Sequence, residues 1–337
     1  MTDSISAIRS SAKRNRPCVA FLPAVIAKPR PRRWLLIAWL VIAACAGHVA
    51  SGKDPLLAEL TERGVPVGAG LFVKLPAPTL PDGLDAAAQN AAIADVAAPS
   101  PPDDFLRNSA VAPLVLRIRS VPGTSAERVA QRVSVWFVAY GSLPALRDEK
   151  LVQQLAGAVK QEGGKFRPTV RPLADDALRS RGLWPTATPA RDGWLGSVRL
   201  PLLERVQVSG VLYGVQVATA DSIVWSGKLD ARFANDREFP NQWQPFLRSE
   251  LGELSLGPPR PYSGFGGYIK ATPLQEPAGA IFLECHVIFR EPAEWFGGAN
   301  LLRSKLPIVI QENVRSFRRK LTAASRQSST KRTEAAR

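Results

Sequence analysis

The sequence predicts an α+β fold: an antiparallel β-sheet packed by a long C-terminal amphipathic helix, behind an N-terminal signal or anchor helix. Three observations predict it. Residues 280–290 alternate with the period of a strand, residues 302–321 carry one apolar stripe at helical spacing, and residues 34–46 are an uncharged apolar run directly after a basic stretch.

In 280–290 the odd positions are Ile281, Leu283, Cys285, Val287 and Phe289, so one strand face is wholly apolar and must be buried. The even positions, Phe282, Glu284, His286, Ile288 and Arg290, form a mixed face. Pro292 stops the strand and Gly297-Gly298 gives the turn. Leu302, Leu306, Ile310, Val314, Phe317 and Leu321 then recur at spacings of four or three, which is one continuous stripe. Pro307 requires the helix to bend there, or to restart with Pro307 in its first turn. The stripe predicts a helix lying across the sheet.

Partner strands precede this pair. Residues 112–121 alternate Leu114, Leu116 and Ile118 against Val115, Arg117 and Arg119, the two arginines reading as a solvated sheet face. Residues 133–140 are apolar on both faces, as in a central strand covered on each side. In 204–219, Val206 and Val208 share one parity, and Val211, Tyr213, Val215 and Val217 the other, which predicts a bulge or bend at Ser209-Gly210. A hairpin partner follows, with Ile223, Trp225, Leu229 and Phe233 facing in and Ser222, Ser226, Lys228 and Asp230 facing out. Residues 235–261 read as a loop, and 268–274 as a shorter strand.

Upstream, Asp54 and Pro55 open a two-turn helix closed by Gly64. Residues 83–94 are an Ala-rich helix with Asp82 as its cap, and 97–104 are a linker by composition. Residues 146–162 form an amphipathic helix. The chain therefore divides into a basic n-region (1–33), a signal peptide or membrane anchor (34–50), a helix-containing extension and linker (51–104), an α+β domain (105–321) and a basic disordered tail (322–337).

Three fates compete for the apolar run. Cleavage after Ala44-Cys45-Ala46 would release an exported protein. Retention would leave a single-pass anchor, since the run extended to Ala50 is at the short edge of a spanning helix. Ile42-Ala43-Ala44-Cys45 also resembles a bacterial lipobox, which would make Cys45 a lipidation site. The n-region is long enough that translation could begin later, at Val19 or Val25. All three fates export the body across the cytoplasmic membrane, anchored or released in the envelope. The only other cysteine in the body is Cys285, so no internal disulfide forms there.

The net charge of +15 does not point to nucleic acid. Residues 1–33 contribute +7 and residues 315–337 another +7, leaving +1 for the body between them.

The last long strand, the turn at Trp295 and the helix ending in VRSFRRKL (residues 314–321) resemble the START-like lipid-transfer and polyketide-cyclase superfamily. The turn reads Trp295-Phe296-Gly297-Gly298 where that family often has Pro, and its two consecutive helices after the first strand are not evident. The resemblance spans at most residues 203–321 and implies a cavity for an apolar ligand between sheet and helix.

Chemistry is sparse. Glu284 and His286 share a strand face about 7 Å apart at the backbone, and a carboxylate beside an imidazole can tune it as a base. They are the catalytic candidates. No HExxH, CxxC, GxSxG or GxxxxGK[ST] pattern occurs, a third metal ligand is missing, and Gly264-Phe265-Gly266-Gly267 lacks the dinucleotide context and reads as a loop. No cofactor or metal is expected. The expected function is that of a non-catalytic envelope protein, with the membrane as a partner through the N-terminal segment and an apolar small molecule or a protein as the other. A hydrolase-like enzyme using Glu284 and His286, or a purely structural module, are the alternatives.

Overall fold

The computed structural model describes residues 54–335, apart from 69, 124–127, 148–165, 167, 184–192, 204 and 297–300. The n-region, the apolar run with Cys45 and most of the helix expected over 146–162 lie outside the described residues.

The chain opens with α1 (Pro55–Glu62) and the hairpin β1 (Val65–Gly68) to β2 (Leu71–Val73). An irregular stretch leads to α2 (Ala86–Ala97) and α3 (Pro102–Leu106). The sheet begins with β3 (Val115–Pro122) and β4 (Arg128–Tyr140), then passes through α4 (Leu143–Arg147), β5 (Thr169–Pro172), α5 (Asp175–Arg179) and β6 (Gly193–Leu202). It continues with β7 (Val206–Ala218), β8 (Ile223–Leu229), β9 (Gln242–Arg248), β10 (Leu254–Leu256), β11 (Arg260–Pro261), β12 (Phe265–Pro273) and β13 (Ala280–Arg290), before α6 (Leu301–Ala335). The main order is β10-β9-β7-β8-β12-β13-β4-β3, every pairing antiparallel. This is the predicted α+β architecture.

One face of the sheet carries α6. Leu302, Leu306, Ile310, Val314 and Leu321 are at most 2% exposed and share one apolar cluster with Ile281, Leu283, Cys285, Val287 and Phe289 of β13. Phe317 meets Phe137 edge-on at 5.7 Å between ring centroids. Each such side chain stabilises the fold by roughly 1.5–3 kcal/mol, so the stripe, not helix propensity, holds α6 in place. The helix runs unbroken through Pro307 and on to Ala335. A disordered tail from residue 322 is thus corrected: residues 322–335 contain no Gly or Pro, and nothing there stops the helix.

The other face is covered by the N-terminal extension, which the sequence did not suggest. Leu56, Leu60, Val65 and Val67 pack with Tyr268, Ile288, Val215 and Val217. Further along, Leu80, Ile93, Val96 and Phe105 pack with Trp136, Val138 and Phe282. Residues 97–104 therefore do not separate two bodies. The glycines near 266 record this docking. Gly266 lies inside β12, and a Cβ there would come within 2.7 Å of Val65 Cγ2. Gly264, at φ +94°, sits where a Cβ would meet Pro66 O at 2.7 Å. The stretch read as a loop is a strand stripped of side chains so that β1 can lie on it.

Two further expectations change for the same reason. β7 keeps an unbroken register with β6 from Val206 opposite Leu202 to Val215 opposite Gly193, with no bulge at Ser209-Gly210. Val206, Val208 and Leu212 face the α6 layer, whereas Val215 and Val217 face the extension. Both parities are apolar because both faces are covered. Residues 235–261 hold β9, β10 and β11 rather than only loop.

Candidate functional site

β13 lies between β12 and β4, and its register sets the neighbours of its two polar residues. His286 is opposite Ser134 on one side and Tyr268 on the other; Glu284 is opposite Trp136 and Lys270. Beyond Tyr268 and Lys270, β8 contributes Ser226 and Val224. Two cross-strand rows thus put a serine pair, a tyrosine, a histidine, a lysine and a glutamate on one sheet face. That face would be a poor core surface without partners, because buried polar groups must be hydrogen-bonded.

The extension supplies them. Between β2 and α2 the chain reads Pro76-Ala77-Pro78-Thr79-Leu80-Pro81-Asp82, and proline keeps it out of regular secondary structure. Its backbone groups are therefore available to side chains. The Thr79 amide donates to Glu284 Oε1 and Oε2 at 3.0 and 2.8 Å, and Trp136 Nε1 donates to Thr79 Oγ1 at 2.9 Å. Tyr268 donates its hydroxyl to Pro76 O at 3.0 Å. Lys270 Nζ donates to Leu80 O at 2.7 Å and to Asp82 Oδ1 at 2.6 Å.

Glu284 and His286 do meet, as the shared parity predicted: His286 Nε2 is 3.2 Å from Glu284 Oε2. Nδ1 is 2.9 Å from Ser134 Oγ, so both ring nitrogens are engaged. Trp136 and Tyr268 wall the imidazole at 5.0 and 4.9 Å between centroids. Glu284 and His286 are each 0% exposed. A general base needs a ring nitrogen within reach of a substrate proton, and neither nitrogen of His286 faces solvent. Burial, with the Glu284 charge second, pushes the Tyr268 hydroxyl far above the usual phenol range, so it stays a neutral donor. Cys285, on the opposite parity, is 3% exposed; burial holds its thiol up and unreactive. Among the described residues no group of three or more His, Cys, Asp or Glu could hold a metal. Arg117 and Arg119 stay exposed, Arg117 resting 5.0 Å over the Trp136 ring.

Lys270, Ser134 and Thr79 belong to this network and were not singled out in the sequence, where Asp82 was read only as a helix cap. Asp82 is not a helix cap: Asp85 caps α2 by accepting from the Ala88 amide at 2.8 Å. Asp82 instead accepts from Lys270, Ser222 and Thr219. The available signal was Lys270 itself, a lone cation in an apolar strand.

The second fastening is at α1. Asp54 Oδ1 accepts from the Leu56 and Leu57 amides, each at 2.9 Å, while Oδ2 accepts from Ser226 Oγ at 2.7 Å. Glu59 pairs with Lys228 at 2.6 Å. Burial pushes the Asp54 carboxyl above 3.8, outweighing those hydrogen bonds. The native protein then binds that proton more readily than the unfolded chain, so this group adds stability as pH falls through its folded pKa towards 3.8. Asp82 runs the other way. Burial raises it, but the Lys270, Ser222 and Thr219 hydrogen bonds win and hold it below 3.8, so its contribution is complete above that value and lost as pH falls through the folded pKa. Asp54→Asn keeps the cap and removes the first slope. Urea unfolding is expected to show its stability relative to wild type highest at neutral pH and declining on acidification; a pH-independent difference would contradict the raised carboxyl.

No family model matches the chain, and no curated protein matches it. Among solved structures, an uncharacterized protein from Rhizobium leguminosarum is similar over 57% of this chain and 97% of that one, at 11% sequence identity and a TM-score of 0.23. A likeness of that degree transfers neither fold nor function.

Proposed function

We propose that the protein is a non-catalytic module of the cell envelope, exported by its N-terminal apolar segment, that acts by binding a protein partner. The observation that carries this is the sealing of the Glu284–His286 pair. The one imidazole–carboxylate pair among the described residues is spent on fastening the extension to the sheet. An apolar ligand under α6, as the START-like resemblance implies, is less well supported, because side chains of the stripe and of β13 occupy that space together. A protein partner fits the exposed apolar side chains at the β9–β10 hairpin, where Leu251 is 92% and Leu247 49% exposed.

A photo-crosslinking residue at position 251 is expected to give one discrete protein adduct in intact cells, lost on Leu247→Asp. Stoichiometric lipid extracted from the purified full chain, with no adduct, would replace this reading with the apolar-ligand one. For the enzyme reading the discriminating variant is His286→Ala. A fastening residue costs about 2–4 kcal/mol when removed, whereas a residue kept for turnover is commonly removed with little loss of stability.

A further inference from the structure

Beside the second half of α6 lies an open pocket of about 270 Å³, several times the roughly 30 Å³ share of one water. Its floor is the end of β4, one wall is the turn at Asn108 and Ser109, and the other is the helix face carrying Arg318, Arg319, Thr322 and Arg326. No Asp or Glu lines it. We propose that this pocket binds a small phosphate-bearing anion, either free phosphate or the phosphodiester headgroup of a lipid.

The charge balance carries the proposal. Arg318 is only 4% exposed, and among the described residues no carboxylate lies within ion-pair distance of it. The hydrogen bonds of Arg318 all go to carbonyls, and its guanidinium lies 5.7 Å over the Phe137 ring: Nε donates to Val138 O, Nη1 to Ala110 O and Ala112 O, and Nη2 to Pro113 O. Four of its five N–H groups are used, which leaves one on Nη2. Burial pushes its pKa down to about 10, the mark of a cation in surroundings that solvate it poorly. Arg319, the next residue of the helix, is exposed and lines the same pocket. A planar guanidinium fixed in a rigid frame, with a second one adjacent and hydroxyls of Ser109 and Thr322 at the rim, suits an oxyanion that takes several hydrogen bonds at once.

The test is calorimetric titration of the full chain in neutral detergent, with two soluble probes. Inorganic phosphate stands for the free anion and glycerophosphoglycerol for a lipid headgroup. Saturable binding of at least one, with Kd of about 1 mM or tighter, is expected, and the tighter probe identifies the source. Arg319→Gln should weaken binding about tenfold. Arg303→Gln removes the same charge from the same helix outside the pocket, where Arg303 donates to Ser120, and should leave Kd unchanged. Arg319 makes no contact that the fold needs, so its loss leaves the protein folded even where an Arg318 variant would not. No saturable heat with either probe would overturn the proposal. So would equal weakening by the two substitutions, which would mark a diffuse charge effect.

Discussion

Glu284→Ala is expected to destabilise the protein by about 3–5 kcal/mol in urea unfolding. The carboxylate is 0% exposed and accepts twice from the Thr79 amide, while His286 Nε2 lies against Oε2. Its removal leaves the part-buried Thr79 amide and one imidazole nitrogen without a partner, opens a void under the extension, and deprives Lys270 of a cross-strand neighbour of opposite charge. Glu284→Gln separates these causes. The amide keeps the volume and an acceptor for Thr79, so its cost should fall to about 1 kcal/mol. A loss that small for the alanine variant would mean that water already reaches the site.

Arg318→Met should cost a similar amount, about 3–5 kcal/mol, for a different reason. The guanidinium ties together three parts of the fold: the carbonyls of Ala110, Ala112 and Pro113 leading into β3, the carbonyl of Val138 in β4, and α6 itself. Methionine keeps the apolar stem and removes every donor, which leaves four carbonyl acceptors without their partner. Arg319→Met, one residue along, should change stability by no more than about 0.5 kcal/mol. Equal losses for the two would assign the effect to helix charge rather than to the carbonyl frame.

These two sites differ in how legible they were. The β13–α6 pair follows from local periodicity: the odd parity of 281–289 and the four-and-three spacing of 302–321 each lie within one element and need no knowledge of the rest. The pairing of Glu284 with His286 was equally plain, since strand geometry puts positions two apart on one face. Their burial was not. It depends on Thr79, 205 residues away in sequence, in a proline-rich stretch with no periodicity to read. A mixed strand face looks solvated until something is known to cover it. The traces of that cover were present as residues with no local use: glycines at 264 and 266 inside strand texture, and Lys270 among apolar neighbours. Arg318 is a similar case. One arginine in Arg318-Arg319-Lys320 completes a carbonyl frame while the next faces solvent, and only the position of residues 110–113 separates them.

The extension is an integral layer of the fold, with Glu284 and His286 as its fastening. Native-state hydrogen exchange of the Thr79 amide tests this most directly, because that one proton is held by Glu284 and lies in no helix or strand. Protection equal to the global unfolding free energy and to that of the β12–β13 amides is expected, and its collapse in Glu284→Ala. Exchange of Thr79 at the rate of an open loop in the wild-type protein would contradict it, and would return Glu284 and His286 to a solvent-accessible face.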